Sequence, residues 1–409
     1  MSALTPVLDP DLFDLGEHLW IMHCAKGPAP RAAYEATRDF LEREIHPWAL
    51  DLVNEWAGIP DGLRSEAAAI LGARPTDITI SASTSAALTT VAQGFPFAPG
   101  DEVLAPLGEF PSNAWPWKAL EARGVTFREV PLWDGHRCGE GAMESTPPSD
   151  STAPDLAPDA EDRIIAAIGP RTRLVAASWV RFQDGLRLDL NRIGQACRVR
   201  GVAFVVDGIQ GVGTHVPSLD FVDAFACGGQ KGCLGPQGHG FLWTAPDFRQ
   251  RLVPQGSWLS VDGGSDLARA VTDFRRDWFA DGRRLECGSL PLAGSLALRE
   301  SLQTLNQVSV PAIEAHVERL QADLLARLAA DPTWAEEAHR LEALRRSGRL
   351  GPLLCLHHQG RGSRFLSGCL KSAQPLQIHA TAREGYLRIA LHGWHGARDL
   401  DRLEAWLRT

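Results

Sequence analysis

Seven short runs of β-branched, aromatic and small apolar residues punctuate the first two thirds of the chain: DITIS (77–81), EVLAP (102–106), VTFREV (125–130), RLVAAS (173–178), VAFVVD (202–207), DAFACGG (223–229) and GFLWT (240–244). Between several of them lie stretches with apolar residues at helical spacing and polar or glycine exits, such as SAALTTVAQGF and LNRIGQACRVRG. Strand-like runs alternating with helical stretches suit strands joined by crossover helices. The pattern therefore predicts an α/β domain with a mostly parallel sheet.

From about residue 293 the pattern changes. GSLALRESLQTLNQ and VPAIEAHVERLQADLLARLAA read as long helices, LLCLHH and YLRIAL as a strand pair, and ARDLDRLEAWLR as a closing amphipathic helix. This predicts a smaller α+β domain over 291–409, behind a large domain over 20–290 and an N-terminal arm over 1–19. At 409 residues the chain is longer than a single core usually supports, which favours two units. Residues 139–161, rich in Pro, Ser, Thr, Asp and Ala, carry almost nothing worth burying and predict a surface insertion.

A hydrophobic share of 44% and a charged share of 22% exclude a disordered or fibrous chain. A net charge of -9 with no Lys/Arg block argues against a nucleic acid or an anionic membrane surface as partner. The eight cysteines (24, 138, 197, 227, 233, 287, 355 and 369) are scattered without a C-x-x-C pair, which reads as reduced thiols in a cytoplasmic protein and not as a disulfide scaffold or metal cage. The first twenty residues lack the basic and apolar stretches of a signal peptide, and no apolar run approaches the roughly 20 residues of a membrane helix.

The chemistry concentrates between Val205 and Trp243, in VVDGIQGVG and FACGGQKGCLGPQGHGFLW. Asp207 closes an apolar strand at the C-terminal edge of the sheet, the usual ligand side of an open α/β fold. Lys231 follows the next strand-like run and precedes a Gly-Pro-rich loop. Taken singly, a strand-end Asp is an ordinary cap and a Lys before Gly a solvated turn residue. Together they supply what pyridoxal phosphate needs: an amine to form a Schiff base, and a buried carboxylate to keep the pyridine nitrogen protonated so that the ring draws electrons.

With these residues the chain resembles the class V aminotransferase, cysteine desulfurase-like group of fold-type I pyridoxal phosphate enzymes, from about residue 20 to the C-terminus. The resemblance implies a large domain with a mostly parallel seven-stranded sheet and a smaller α+β C-terminal domain. It assigns Asp207 to the pyridine nitrogen, Gln210 to the phenolic oxygen, Gln230 to the cofactor site and Lys231 to the Schiff base. ISASTSAALTTVAQGF opens a helix behind a hydroxyl-rich turn, a natural anion site, although an ordinary N-cap looks the same. It is similar to the family's phosphate cradle, with Ser83, Thr84 and Ser85 in place and the leading Gly missing. In GEFPSNAWPW, Phe110 falls at the ring-stacking position, whereas Trp115 and Trp117 read as packing.

In DGRRLECGSLPLAG, Ser289 matches the hydroxyl that reaches the phosphate of a neighbouring subunit, which implies a homodimer with shared active sites; alone, the fragment is a Gly-Ser turn. In YLRIALHGWH, Arg388 projects from an apolar strand, where a guanidinium is costly unless it meets an anion. The resemblance makes it the reader of the substrate α-carboxylate; the competing reading is an edge-strand arginine in water. His23 and Lys26, in MHCAKGPAP, match a loop that passes near the substrate and carry no assigned role.

The desulfurase branch of the family places His before the lysine and His over the ring, where this chain has Gln230 and Phe110. Desulfuration also needs a thiolate on a mobile loop. Cys355 and Cys369 lie in that broad region, but the spacing from Cys369 to Arg388 is longer than the family pattern. The Gln-Lys pair instead resembles the alanine–glyoxylate type of aminotransferase. The expected reaction is transamination of an amino acid or small amine, with Lys231 as proton shuttle. Cysteine desulfuration or C–S lysis ranks second. Epimerisation, decarboxylation and elimination use the same constellation. A non-catalytic cofactor-binding module is the remaining class, and the joint presence of Lys231, Asp207 and Arg388 argues against it.

Overall fold

The computed structural model of the chain describes residues 4–133 and 160–409, apart from 265, 267, 271 and 359. Its strands are β1 (Leu19–Trp20), β2 (Ile78–Ser81), β3 (Glu102–Pro106), β4 (Thr126–Val130), β5 (Thr172–Ser178), β6 (Ala203–Asp207), β7 (Ala224–Gly228), β8 (Gly240–Thr244), β9 (Leu353–His357), β10 (Ile378–His379), β11 (Thr381–Arg383) and β12 (Tyr386–Ala390). The helices are α1 (Arg31–Glu44), α2 (Leu52–Leu71), α3 (Thr84–Gly94), α4 (Trp115–Lys118), α5 (Ala160–Ala167), α6 (Leu190–Val199), α7 (Pro246–Arg251), α8 (Leu292–Val308), α9 (Val310–Leu328), α10 (Ala335–Arg346), α11 (Gly362–Ala373) and α12 (Ala397–Leu407), joined in places by 3-10 turns.

Seven strands form one sheet in the order β2-β8-β7-β6-β5-β3-β4, and each coincides with one of the seven apolar runs. β8 alone runs against its neighbours; the remaining pairings are parallel. Alternation along the strands divides the core. Val175, Ala177, Phe204, Val206, Phe225 and Phe241 feed one hydrophobic cluster, while Leu174, Ala176, Ala203, Val205, Ala224 and Leu242 feed another that includes α3. The central strands β3, β5, β6, β7 and β8 are covered on both faces and read as nearly continuous apolar runs, whereas edge strand β4 is exposed at Thr126 and Glu129.

The C-terminal part carries a three-stranded antiparallel sheet, β11-β12-β9. The N-terminal segment is tied to it: β1 pairs in parallel with β10, and the Val7 and Leu8 N–H groups both donate to the Gly393 carbonyl at 2.9 Å. Among the described residues no helix is long and apolar enough to cross a membrane.

Most of the expected insertion, 139–159, lies outside the described residues. Its last two residues differ from the expectation, because Ala160 and Glu161 begin α5. Glu161 is buried, accepting the Asp189 N–H at 3.0 Å and the Arg349 guanidinium at 2.5 Å. A carboxylate with two such partners belongs to the packed structure despite its polar neighbours in sequence. Trp115, expected to pack, is 63% exposed, whereas Trp117 is fully buried and donates to Asn113 Oδ1 at 3.1 Å.

Candidate active site

Parallel strands end together, so the C-terminal tips of β5, β6 and β7 bring separate loops into one place. Asp207 is the last residue of β6, opposite Ser178 of β5 and Ala226 of β7. It is buried, and Oδ1 accepts the Ile209 N–H at 3.0 Å. Burial pushes its carboxyl up to about 7, Lys231 pulls it down and Glu109 pushes it up.

Lys231 follows β7 on a turn and is 9% exposed. Its amine is held below the usual lysine value, first by burial, with Asp207 and Cys24 opposing. The same amine lies 5.4 Å from the centre of the Phe110 ring, and Phe110 meets Phe182 edge-on at 5.2 Å. Phe110 is set by Glu109 behind it, a buried carboxylate that accepts from Ser178 N at 2.9 Å, from Ser178 Oγ and from Asn113 Nδ2 at 3.0 Å. Burial raises the Glu109 carboxyl above its ordinary value.

Around this centre, Gln210 donates from Nε2 to the Cys24 carbonyl at 3.2 Å, leaving its buried Oε1 without a partner. Gln230 is half-buried, and its carbonyl accepts the Gly27 N–H at 2.8 Å, fastening the 21–27 segment beside the lysine. Arg388, in β12, is buried; Nη1 donates to the Phe182 carbonyl at 3.2 Å and Nε has no partner.

The hydroxyl-rich turn lies at the start of α3. Ser83 caps the helix, accepting from Ala86 N at 3.1 Å; the Thr84 hydroxyl accepts the Gly228 N–H at 2.8 Å; and exposed Ser85 bonds Ser112 at 2.8 Å. The helix N-terminus therefore adjoins the end of β7, three residues before the lysine. Ser289 stands apart: it is exposed, and no hydrogen bond joins it to the other candidates among the described residues.

The residues present fit a planar cationic ring with a phosphate arm. The unpartnered Gln210 Oε1 and Arg388 Nε are buried polar atoms that need a partner. Gly228 keeps a gap open at the helix N-terminus, since a Cβ there would stand 2.6 Å from Gln230 Oε1 and 3.1 Å from Thr84 Oγ1. Asp207 offers the one charge a pyridinium requires.

Several contributors escaped sequence reading. Cys24, Glu109, Phe182 and Arg383 all adjoin the centre, Arg383 lying 5.9 Å from the Phe110 ring centre and 6.0 Å from that of Phe182. The signal for Phe182 was available: WVRFQDG leaves β5 beside Asp207, and Trp179 N donates to the Asp207 carbonyl at 2.9 Å. Nothing local marked the other three. His23 is buried with both ring nitrogens unpartnered, edge-on to His392, and Lys26 donates to the Gly235 carbonyl at 2.6 Å. Cys355 is buried in β9 opposite Arg388, and half-buried Cys369 sits within α11, its carbonyl taking the Trp406 indole N–H at 3.0 Å. A cavity of about 690 Å³ elsewhere is lined by Arg187, Glu314, Arg349 and Glu161 and contains none of these candidates.

The profile described as aminotransferase class-V matches residues 154–343. A cysteine desulfurase of Dickeya dadantii (strain 3937) is 30% identical over 321 residues, 76% of this chain and 71% of that one. An isopenicillin N epimerase of Streptomyces clavuligerus is 29% identical over 336 residues, 78% of each. Among solved structures, a mutant of C-DES with glycine covalently linked to its pyridoxal phosphate cofactor superposes with a TM-score of 0.81 at 20% identity, over 98% of this chain and 99% of that one.

Proposed function

The chain belongs to the class V aminotransferase family of pyridoxal phosphate enzymes, and from that premise we propose that it transaminates an amino acid, with Lys231 as cofactor attachment point and proton carrier. The observation that carries the reading is the Lys231 amine, buried between Asp207 and Phe110 and held below its ordinary pKa. Lowering the pKa of an amine raises the share of it present as free base, the form that accepts a proton.

Pyridoxal phosphate, when bound, supplies a sink for the charge left at the substrate Cα. In this reading Asp207 would keep the ring nitrogen charged, Gln210 would meet the ring oxygen through the Nε2 hydrogen not given to Cys24, Phe110 would cover the ring, and Ser83, Thr84 and Ser85 with Gln230 would hold the phosphate end. Arg388 fixes the substrate α-carboxylate, which orients the Cα–H bond toward Lys231 Nζ. Lys231 Nζ, once free of the cofactor, would take that proton and release it at a carbon other than Cα, the 1,3-shift that transamination requires; return to Cα would only racemise the substrate. Burial of the centre keeps water from competing.

Two thiols weigh against desulfuration. Cys355 lies inside a buried strand and its thiol is pushed up by burial, while Cys369 is held within a helix; a sulfur acceptor needs an ionisable thiol on an open loop.

The proposed assembly is a homodimer with Ser289 serving the partner's phosphate site. Ile45 and Trp48, three residues apart and 72% and 82% exposed, are apolar surface that a second subunit would cover.

The test is to incubate the holoenzyme with single amino acids and assay the 2-oxo acid product. Product stoichiometric with enzyme and absent in Lys231→Ala supports transamination. Sulfide released from cysteine and lost in Cys369→Ser would reverse the ranking.

A further inference from the structure

Arg383 is an exposed guanidinium beside the centre with no ion pair among the described residues. Its placement follows from the β11–β12 hairpin. Thr381 pairs with Arg388 and Arg383 with Tyr386, so Arg383 and Arg388 lie diagonally on one face of the hairpin. Diagonal neighbours in an antiparallel pair are roughly 7–8 Å apart at the backbone, within reach of long side chains. That face meets the large sheet's loops: Arg388 bonds the Phe182 carbonyl, and Arg383 lies against the rings of Phe110 and Phe182.

The adjacent acid is engaged elsewhere. Glu384 accepts a hydrogen bond from the Gln183 side-chain amide. The turn is a two-residue hairpin with Glu384 at φ 49° and Gly385 at φ 86°, the left-handed pair such a turn requires. Glutamate is an unusual occupant of that position, and its bond to Gln183 anchors the hairpin tip to the 181–185 loop. The result is two guanidiniums, buried Arg388 and rim Arg383, that both reach the Phe110–Phe182 pair, with Arg388 also acting on Lys231. The charge of Arg383 also reaches the Cys24 thiol, which Arg388 and Lys231 likewise hold down against burial.

Resting on the amino-acid reading above, we propose that Arg383 reads a second anionic group, so that the site takes a dicarboxylic α-amino acid. Arg388 holds the α-carboxylate, and Arg383, whose fork of N–H donors suits a carboxylate, holds the distal one. The neutral amino acids of similar length then bind less well because Arg383 has nothing to meet.

The test measures binding without turnover. The holoenzyme is titrated calorimetrically with glutarate and with pentanoate at physiological ionic strength, where non-specific attraction is screened. The expected result is glutarate at least tenfold tighter than pentanoate. Arg383→Gln should bring glutarate to the level of pentanoate while pentanoate changes less than twofold, and Arg383→Lys should restore part of the difference. Equal binding of the two acids by the unaltered protein, binding of neither, or equal weakening of both in Arg383→Gln would each overturn the proposal. Failure of every amino acid to yield a 2-oxo acid would sink the transamination reading while leaving this result standing.

Discussion

The Lys231 amine faces the ring of Phe110 at 5.4 Å from its centre, and the same ring is met edge-on by Phe182. Two loops from different strands thus build one wall of the site. If Phe110 stacks on the cofactor, Phe110→Ala removes an aromatic contact worth ~0.5–1.5 kcal/mol beyond its area. The expected outcome is a roughly two- to thirteenfold faster loss of cofactor on dialysis, followed by absorbance. Unchanged retention would remove Phe110 from the cofactor site.

Arg388 should matter more for substrate than for cofactor. Arg388→Ala is expected to lower kcat/KM by at least ~100-fold, about 3 kcal/mol, because a charge-assisted bidentate contact is lost in a buried site. Arg388→Lys should recover only part of it, lacking the fork. Cofactor absorbance should stay normal in both, and its loss in both would recast Arg388 as a structural cation.

Gly228 leaves room at the N-terminus of α3. Gly228→Ala puts a methyl 2.6 Å from Gln230 Oε1 and 3.0 Å from Ile209 Cδ1. The Gln230 amide, placed at the phosphate end in the proposed reading, would have to move aside. Cofactor affinity, measured by titrating apoprotein, should fall by at least tenfold while the fold, read by circular dichroism, persists. An unaltered affinity would place the phosphate elsewhere.

His392 gives a pH prediction with a definite sign. Burial, aided by His395 and His316, pushes it down to about 3, and its Nε2 meets the Gly232 carbonyl at 3.1 Å. The unfolded chain takes up a proton at about pH 6.5, whereas the folded chain refuses it until about pH 3. His392 therefore contributes stability that is present above pH 6.5 and is lost as pH falls through that window, by at most ~1.4 kcal/mol per unit. His23 and His215 are lowered in the same direction. Between pH 6.5 and 5, urea unfolding of His392→Gln should depend less steeply on pH than that of the unaltered protein. Equal slopes would show that His392 already titrates normally.

The large sheet was legible because its central strands are covered on both faces and so are mostly apolar; EVLAP and GFLWT match β3 and β8 residue for residue. Asp207 and Lys231 were legible because each sits where a strand ends, and strand ends can be read from local composition. β11, two residues from β12 and half-buried, had no such signature, and neither did α11. Cys369 could be placed in a region by spacing, yet its confinement within a helix depends on Trp406 packing against it from α12.

Order along the chain therefore sufficed for the α/β class, the seven strands and the identity of the cofactor, since all three rest on patterns within short windows. For the addition of Phe182, Arg383 and Cys24 to the centre around Lys231 it did not, because that arises from where distant loops and a hairpin from another sheet come to rest. Burial decides the protonation of Asp207 and Lys231, and burial is a property of the assembled molecule. Short-range physics names the parts, and long-range packing sets their charges and their company.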